Sequence, residues 1–406
     1  MTARRHIAIV GAGIGGLAAA SLLADHGHRV EIFDQFATPK PVGSGLVIQP
    51  VGQAVLDQIG AGKTARAKGQ KIKRMLGHEA DHGRRVLNVW YDRQGARNCG
   101  LGIHRASLFA ALLEAVSARG IAIRSGHTVT GTEEGYLTFR ECDRQGPFDL
   151  IIDSAGARSA LSPLAGYGLP YGAIWGTVDW PETNLPIDQL RQCYRRADRM
   201  MGVLPMGALP GDTSPKAAIF WSLPRDGYQG WQDAGLAAWV EEATALWPDF
   251  APFAAQITDP AQMTMARYSH GTMRKPWSPG LVHIGDAAHR ASPQLGQGAN
   301  MALLDALALS QALETAEGDA ALALYAKARR WHVMVYQAMS AAFTPQYQSD
   351  SRWLPALRDR VLYPLSQVPP GPSILTAIVC GTMLPPTGRL STRASHERLA
   401  VKAANR

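Results

Sequence analysis

Residues 11–16 read GAGIGG and residues 285–300 read GDAAHRASPQLGQGAN, two stretches in which small residues bare the backbone just before an apolar, helix-periodic run. The first lies within IAIVGAGIGGLAAASLLADHGHRVEIFD, residues 7–34: a β-branched strand, a glycine turn, an Ala/Leu-rich helix and a second strand ending on Asp34. Gly11 permits the tight turn, Gly13 lets a diphosphate approach the backbone, and Gly16 lets helix and strand pack closely, with Gly15 completing the bare surface. Unpaired amides and the positive dipole at the helix start then favour the anion. Asp34 is placed to accept hydrogen bonds from a ribose. Its charge also disfavours a 2′-phosphate, which argues against NADP in this loop and leaves NAD and FAD open.

The second stretch separates these two. Leu281, Val282 and Ile284 form a short strand before Gly285 and Asp286. A carboxylate beside a diphosphate would be repelled, so Asp286 belongs against the hydroxyls of a sugar alcohol, the chemistry of a ribityl chain. The turns at Ser292-Pro293 and Gly296-Gln297-Gly298 bring backbone to the next part of the ligand. A helix beginning near Ala299 aims its amides there. Against an isoalloxazine those amides meet the N1 and C2 carbonyl edge, where negative charge collects on reduction. The flat ring of FAD, faced by Pro293 and Gly298, accounts for the bare backbone.

With these motifs in view, the chain resembles the FAD-dependent aromatic hydroxylases, the single-component group A flavoprotein monooxygenases. The resemblance rests on GAGIGG (11–16), GSGLVIQP (43–50), GIHRASLFAALLEAV (102–116) and GDAAHRASPQLGQGANMALLDA (285–306). It implies that Arg105 and Asp286 contact the cofactor, that Gly298, Ala299 and Asn300 form the turn and helix start against the flavin, and that Gly45 and Val129 belong to the same cofactor-binding set. Arg105 at a helix start is poorly placed for the dipole, which favours an anionic ligand as its partner. One segment departs from the family. Where an Asp-Gly motif and a later arginine are associated with FAD and the nicotinamide donor, this chain has Ala155 and Ser162 within DLIIDSAGARSALSP. Asp153 stands two residues upstream, and Arg158 offers a partial replacement for the positive charge. NAD(P)H as reductant is therefore in doubt, and a separate flavin reductase is the alternative.

The implied fold is α/β (α+β): a Rossmann-like GR2-type FAD-binding domain from 1–75, 100–170 and 270–345, an inserted antiparallel-sheet substrate domain from 76–99 and 171–269, and a helical, Pro-rich tail over 346–406. Strand-like runs at 171–180, 199–209 and 216–224 supply the sheet, followed by an amphipathic helix in DAGLAAWVEEATALW. Trp175, Tyr194, Met201, Val203, Phe220 and Trp221 are the candidate substrate-pocket residues; Tyr194, Tyr268 and His270 offer hydrogen-bond donors, and no catalytic acid or base is assigned.

At 406 residues with 46% hydrophobic content the chain is long enough for well-buried cores. The net charge of +8 reads as a scatter of Arg with no basic stripe, so nucleic-acid binding is not expected. Cys99, Cys142, Cys193 and Cys380 lack C-x-x-C spacing, and no metal site is expected. A start in MTARRHIAIVGAG leaves no room for a signal peptide, so a cytoplasmic location fits. The charge-free run Val361 to Gly388 is too broken by Pro and Gly to span a bilayer, and it reads as a helix packed on the protein or on a second subunit, as in a homodimer, in preference to a membrane contact. The expected activity is insertion of one oxygen atom from O2 into an electron-rich aromatic or enolic small molecule through a flavin C4a-hydroperoxide. A flavin-dependent halogenase or reductase of related fold, or a non-catalytic FAD-binding protein, are the alternatives.

Overall fold

The computed structural model describes residues 4–38, 44–388 and 390; Gly43 of the second motif and the end of the expected tail, 391–406, lie outside the described residues. β1 (His6–Val10), α1 (Ile14–Asp25) and β2 (Arg29–Asp34) form the expected strand–helix–strand unit. β1 pairs in parallel with β2 on one side and with Leu150–Asp153 on the other, so Ile9 lies between Ile32 and Ile152. The six-stranded sheet is completed by Ala122–Ser125 at one edge and by Leu281–His283 and Trp277–Ser278 at the other. Its strands are near-continuous apolar runs because both faces are covered. One face packs Ile7, Ile9 and Ile32 against α1 and the helix Gly298–Thr315. The other packs Ala8, Val10 and Phe33 against the hairpin Val129–Glu133/Tyr136–Phe139. α1 is apolar nearly all round, as a helix held between layers must be.

A three-stranded sheet, Gly45–Ile48, Gly100–His104 and Gln70–Ile72, joins this layer to an eight-stranded one. The contact is close. A Cβ on Gly45 would stand 2.3 Å from Met206 Sδ, so the glycine there serves the approach of one sheet to the other. The eight-stranded sheet contains Tyr167–Asp179, Lys216–Pro224, Arg199–Met206 and Gln189–Arg195 in antiparallel order. It departs from the antiparallel expectation at one place, where Gln189–Arg195 runs parallel to Arg74–Glu79. That strand arrives by a long excursion from the earlier part of the chain, which frees it to run in either direction. Tyr167–Asp179 and Thr264–Thr272 run across the expected divisions at 170/171 and 269/270, and His289–Arg290 pairs with the latter strand from within 270–345.

Alternation along these strands sorts the candidate pocket residues. Met201, Val203 and Trp221 point away from the six-stranded sheet. They pack with Ile174, Ile219, Trp239 and Phe250 under the helix Tyr228–Leu246, so they are core of the outer layer and not pocket wall. Their neighbours Trp175, Met200, Leu204 and Phe220 face inward, with Tyr194, toward Val47 and Tyr347.

Candidate active site

The turn after β1 is shaped by what its glycines allow. Gly11 has φ +99, and a Cβ on it would meet Ser154 O at 2.8 Å and Ala155 Cα at 2.9 Å. A Cβ on Gly16 would stand 2.1 Å from Gly11 O, and one on Gly15 3.3 Å from Ala302 Cβ, which fits α1 closely onto the helix Gly298–Thr315. Gly13 differs: a Cβ there would meet nothing within 4 Å, and no side chain caps the helix start. The free first-turn amides of α1 therefore open onto empty space of the kind an anion fills. Asp34 Oδ2 accepts from Ala12 N at 2.8 Å and Oδ1 from Phe36 N at 2.9 Å. A carboxylate has about four acceptor sites, so this one braces the turn and keeps capacity for a ribose. Val129 is half-buried on the hairpin beside Phe33, at the same end of β2.

The second stretch builds a matching edge. Gly285 N donates to Asp305 Oδ2 at 2.8 Å, and His289 Nε2 contacts the same oxygen at 2.7 Å. Arg329 Nε donates to Asp305 Oδ1 at 2.7 Å. Asp305 is fully buried, and although burial alone would raise its pKa, His289 and Arg329 hold the carboxyl well below the usual range. His289 thus fixes the turn from behind. Asn300 does the same: its side chain accepts from Gln49 N at 2.8 Å and donates to Gly296 O at 2.9 Å and Val47 O at 3.3 Å. Asn300 as a whole is fully buried, so it braces this turn from within. Gly298 is open, with nothing within 4 Å of a would-be Cβ, and the helix it begins carries no side-chain cap. Ala299 packs half-buried on the main core, while Pro293 is exposed in a short turn that ends on Gly296 in the left-handed region, φ +60.

Two charges face the space between these edges. Asp286 and Arg105 are both solvent-exposed, and each has enough protein around it for desolvation to be the largest influence on its titration. Burial raises the Asp286 pKa against the pull of His289, Arg105 and Arg290. Burial lowers that of Arg105 against Asp286 and Tyr268. Among the described residues neither charged group forms a hydrogen bond or ion pair through its side chain. A cation and an anion that reach solvent near one another, both unpaired, describe a site open to a ligand with an anionic group and hydroxyls. Tyr268 stands beside Arg105. Trp175 Nε1 donates to its hydroxyl at 2.8 Å, and burial raises the phenol pKa far above the physiological range. The neutral O–H retains a proton to donate.

The other predicted residues fall out of the recess. Phe220 lies buried behind Trp175, ring centroids 4.6 Å apart. Tyr194 is fully buried, donating to Gln192 Oε1 and packing on Tyr347. The open hollow beside Trp221 and Trp239 lies on the far face of the sheet, where Arg199 already binds Glu242. The departing segment does not relocate its acid toward the recess. Asp153 is fully buried and held by Ala155 N, Ser159 Oγ and His283 Nδ1. Ser162 Oγ donates to Ala287 O at 2.6 Å, and Arg158 is exposed. Glu79, Asp81 and His82 lie within ligand distance of one another, but Glu79 is already taken by three backbone amides and Arg84. Sequence reasoning missed Asp305, whose signal is a lone acid inside the apolar run MALLDALAL.

The family model described as FAD binding domain matches residues 4–339. The 6-methylpretetramide 4-monooxygenase of Streptomyces rimosus is 29% identical over 325 residues, 75% of this chain and 74% of that protein. The FAD-dependent urate hydroxylase of Klebsiella pneumoniae is 27% identical over 343 residues, covering 78% of this chain and 84% of its own. Among solved structures, Klebsiella pneumoniae HpxO complexed with FAD and uric acid superposes with a TM-score of 0.79 at 20% identity, covering 95% of this chain and 98% of that one.

Proposed function

Given that the chain belongs to the FAD binding domain family, as an FAD-dependent monooxygenase, we propose that it inserts one oxygen atom of O2 into an electron-rich aromatic or enolic small molecule. The observation that carries this reading is the pair of unpaired charges, Arg105 and Asp286, facing a recess between two uncapped helix starts. The residues fit FAD. The free amides of α1 at Gly13 would hold the diphosphate, Asp34 the ribose, Asp286 the ribityl hydroxyls, and the helix start at Gly298 the edge of the ring where charge collects. Arg105 would neutralise an anionic part of the cofactor. FAD, when bound, supplies the two-electron chemistry that activates O2 and transfers oxygen. The protein's contribution is position and dryness. Trp175 with Phe220 behind it forms an apolar wall, and the Tyr268 hydroxyl, oriented by Trp175, donates to an acceptor atom on the substrate. Substrates of this class suit the relatives, which are named for urate, a pretetramide and 6-hydroxynicotinate.

The reductant has a second reading, a separate reductase, and its support is specific. With Ala155 and Ser162 at the family's charged positions and Asp153 enclosed, the segment presents no acid toward the recess. The FAD-loaded protein, reduced by light without oxygen and then mixed with O2 and a panel of phenols and hydroxylated N-heterocycles, is expected to yield a product one oxygen heavier. Failure to consume O2, or oxygen returned entirely as hydrogen peroxide with every compound, contradicts the proposal. Rapid bleaching by NADH or NADPH alone eliminates the reductase reading while leaving the oxygenation intact.

A further inference from the structure

Exposed large apolar side chains are scattered singly at Phe36, Tyr167 and Ile187 but follow one another closely after residue 352. Trp353 is 85% exposed, Leu357 44%, Val361 44%, Leu365 63% and Val368 60%. The first four recur every fourth residue along a continuous helical stretch, 353–366, made of Trp353–Leu357, a π turn at Arg358–Leu362 and Tyr363–Ser366. The amphipathic order is inverted. The side chain turned inward is Arg358, 2% exposed, which donates to Asp359 Oδ1, Gln346 O and Arg196 O and lies over the rings of Tyr194 and Tyr347. A buried guanidinium with these partners fixes the segment to the body of the molecule, so the outward stripe is presented by a held element and not by a frayed end. An apolar stripe of this extent, on the order of several hundred Å2, marks an interaction surface.

Charge indicates the partner. Residues 318–406 hold eleven Lys and Arg against four Asp and Glu, whereas residues 1–317 hold thirty against twenty-nine. Within the described part of that stretch, 318–388, six Lys and Arg stand against three Asp and Glu, and Arg329 and Arg358 among the six are buried. Arg352 and Arg360 flank the stripe and are exposed, as are Lys327 and Arg330 beside the exposed Trp331. The exposed acid nearby, Asp350, already accepts from Tyr171. A second copy of the chain would bring this basic surface against itself. Among the described residues no helix is long and apolar enough to cross a membrane, which leaves a surface-lying mode. We propose that the outer face of residues 353–368 docks on an anionic lipid bilayer, with Trp353, Leu357, Val361 and Leu365 in the headgroup boundary and Arg352 and Arg360 on acidic headgroups.

The test is co-sedimentation of the FAD-loaded full chain with phosphatidylcholine vesicles with and without phosphatidylglycerol, alongside sizing in solution. The expected result is binding that needs phosphatidylglycerol, weakens with salt, and falls about tenfold in W353S/L365S and in R352E/R360E. Both variants replace exposed side chains, and FAD content with an unchanged melting temperature confirms that each is folded. Equal or absent binding to both vesicle types overturns the proposal. So does a dimer in solution that W353S/L365S dissociates, because the stripe is then an interface between copies.

Discussion

At the scale of single residues, the site is defined by groups whose partners are missing. Arg105 and Asp286 are exposed and form no ion pairs, and the Tyr268 proton has no acceptor among the described residues. The glycines that accompany them were legible because their reasons are local: a positive φ at Gly11, and a Cβ at Gly16 blocked by the carbonyl of Gly11. Tyr268 was not assignable on that basis. Its orienting donor, Trp175, lies 93 residues away, and neither residue carries a spacing signal for the other. Replacing Tyr268 by Phe removes the donated hydrogen bond and leaves the indole N–H of Trp175 without its acceptor. One hydrogen bond of about 1 kcal/mol predicts a several-fold rise in substrate KM with FAD content unchanged. Steady-state kinetics of Y268F measure it, and a KM equal to that of the unmodified protein contradicts the assignment.

The elements show why some pocket candidates belong to a core instead. Arg199–Met206 is buried at seven of its eight positions, so no polar alternation revealed which side chains faced inward. Pairing with Lys216–Pro224 resolves the faces: Val203 lies opposite Ile219 and Met201 opposite Trp221, all under the helix Tyr228–Leu246. Helix and strand identities in this region followed from apolar periodicity, while the face of each side chain depends on a neighbouring strand that the local pattern does not encode. Met201→Ala therefore empties a closed core and should cost about 2–5 kcal/mol of stability, as for other buried large-to-small changes. Denaturant unfolding checks this. The same variant should keep the KM of the unmodified protein, and a large KM shift without destabilisation would place Met201 in the pocket after all.

Across the whole molecule, one buried network ties the cofactor-side turn to the C-terminal region. Asp305 holds Gly285, His289 and Arg329, and Arg329 in turn reaches Pro386 O and His332. Arg329 donates to His332 Nδ1 and the ring's Nε2–H donates to Gly381 O, which fits a neutral imidazole; burial, with Arg329 adding to it, pulls the pKa from 6.5 to about 4. Asp305 and His289, the other titratable groups nearby, act in opposite directions on the ring. In the unfolded chain the ring takes up a proton near pH 6.5, and in the folded one only near 4. Its contribution is complete above pH 6.5 and is lost as pH falls toward 4. His332→Asn should flatten the decline of melting temperature over that window, and an unchanged slope would remove His332 from the account. Such ties were invisible in the sequence because they are long-range, as with Gln49 and Asn300, 251 residues apart. The central claim, that two distant bare-backbone stretches and the charges between them hold one FAD, is tested most directly by titrating the flavin-free protein with FAD. The account predicts one FAD bound per chain, with affinity about 10–100-fold weaker in Arg105→Gln, the loss of one charge-assisted hydrogen bond. Undiminished affinity in that variant, or no binding by the unmodified protein, would contradict it.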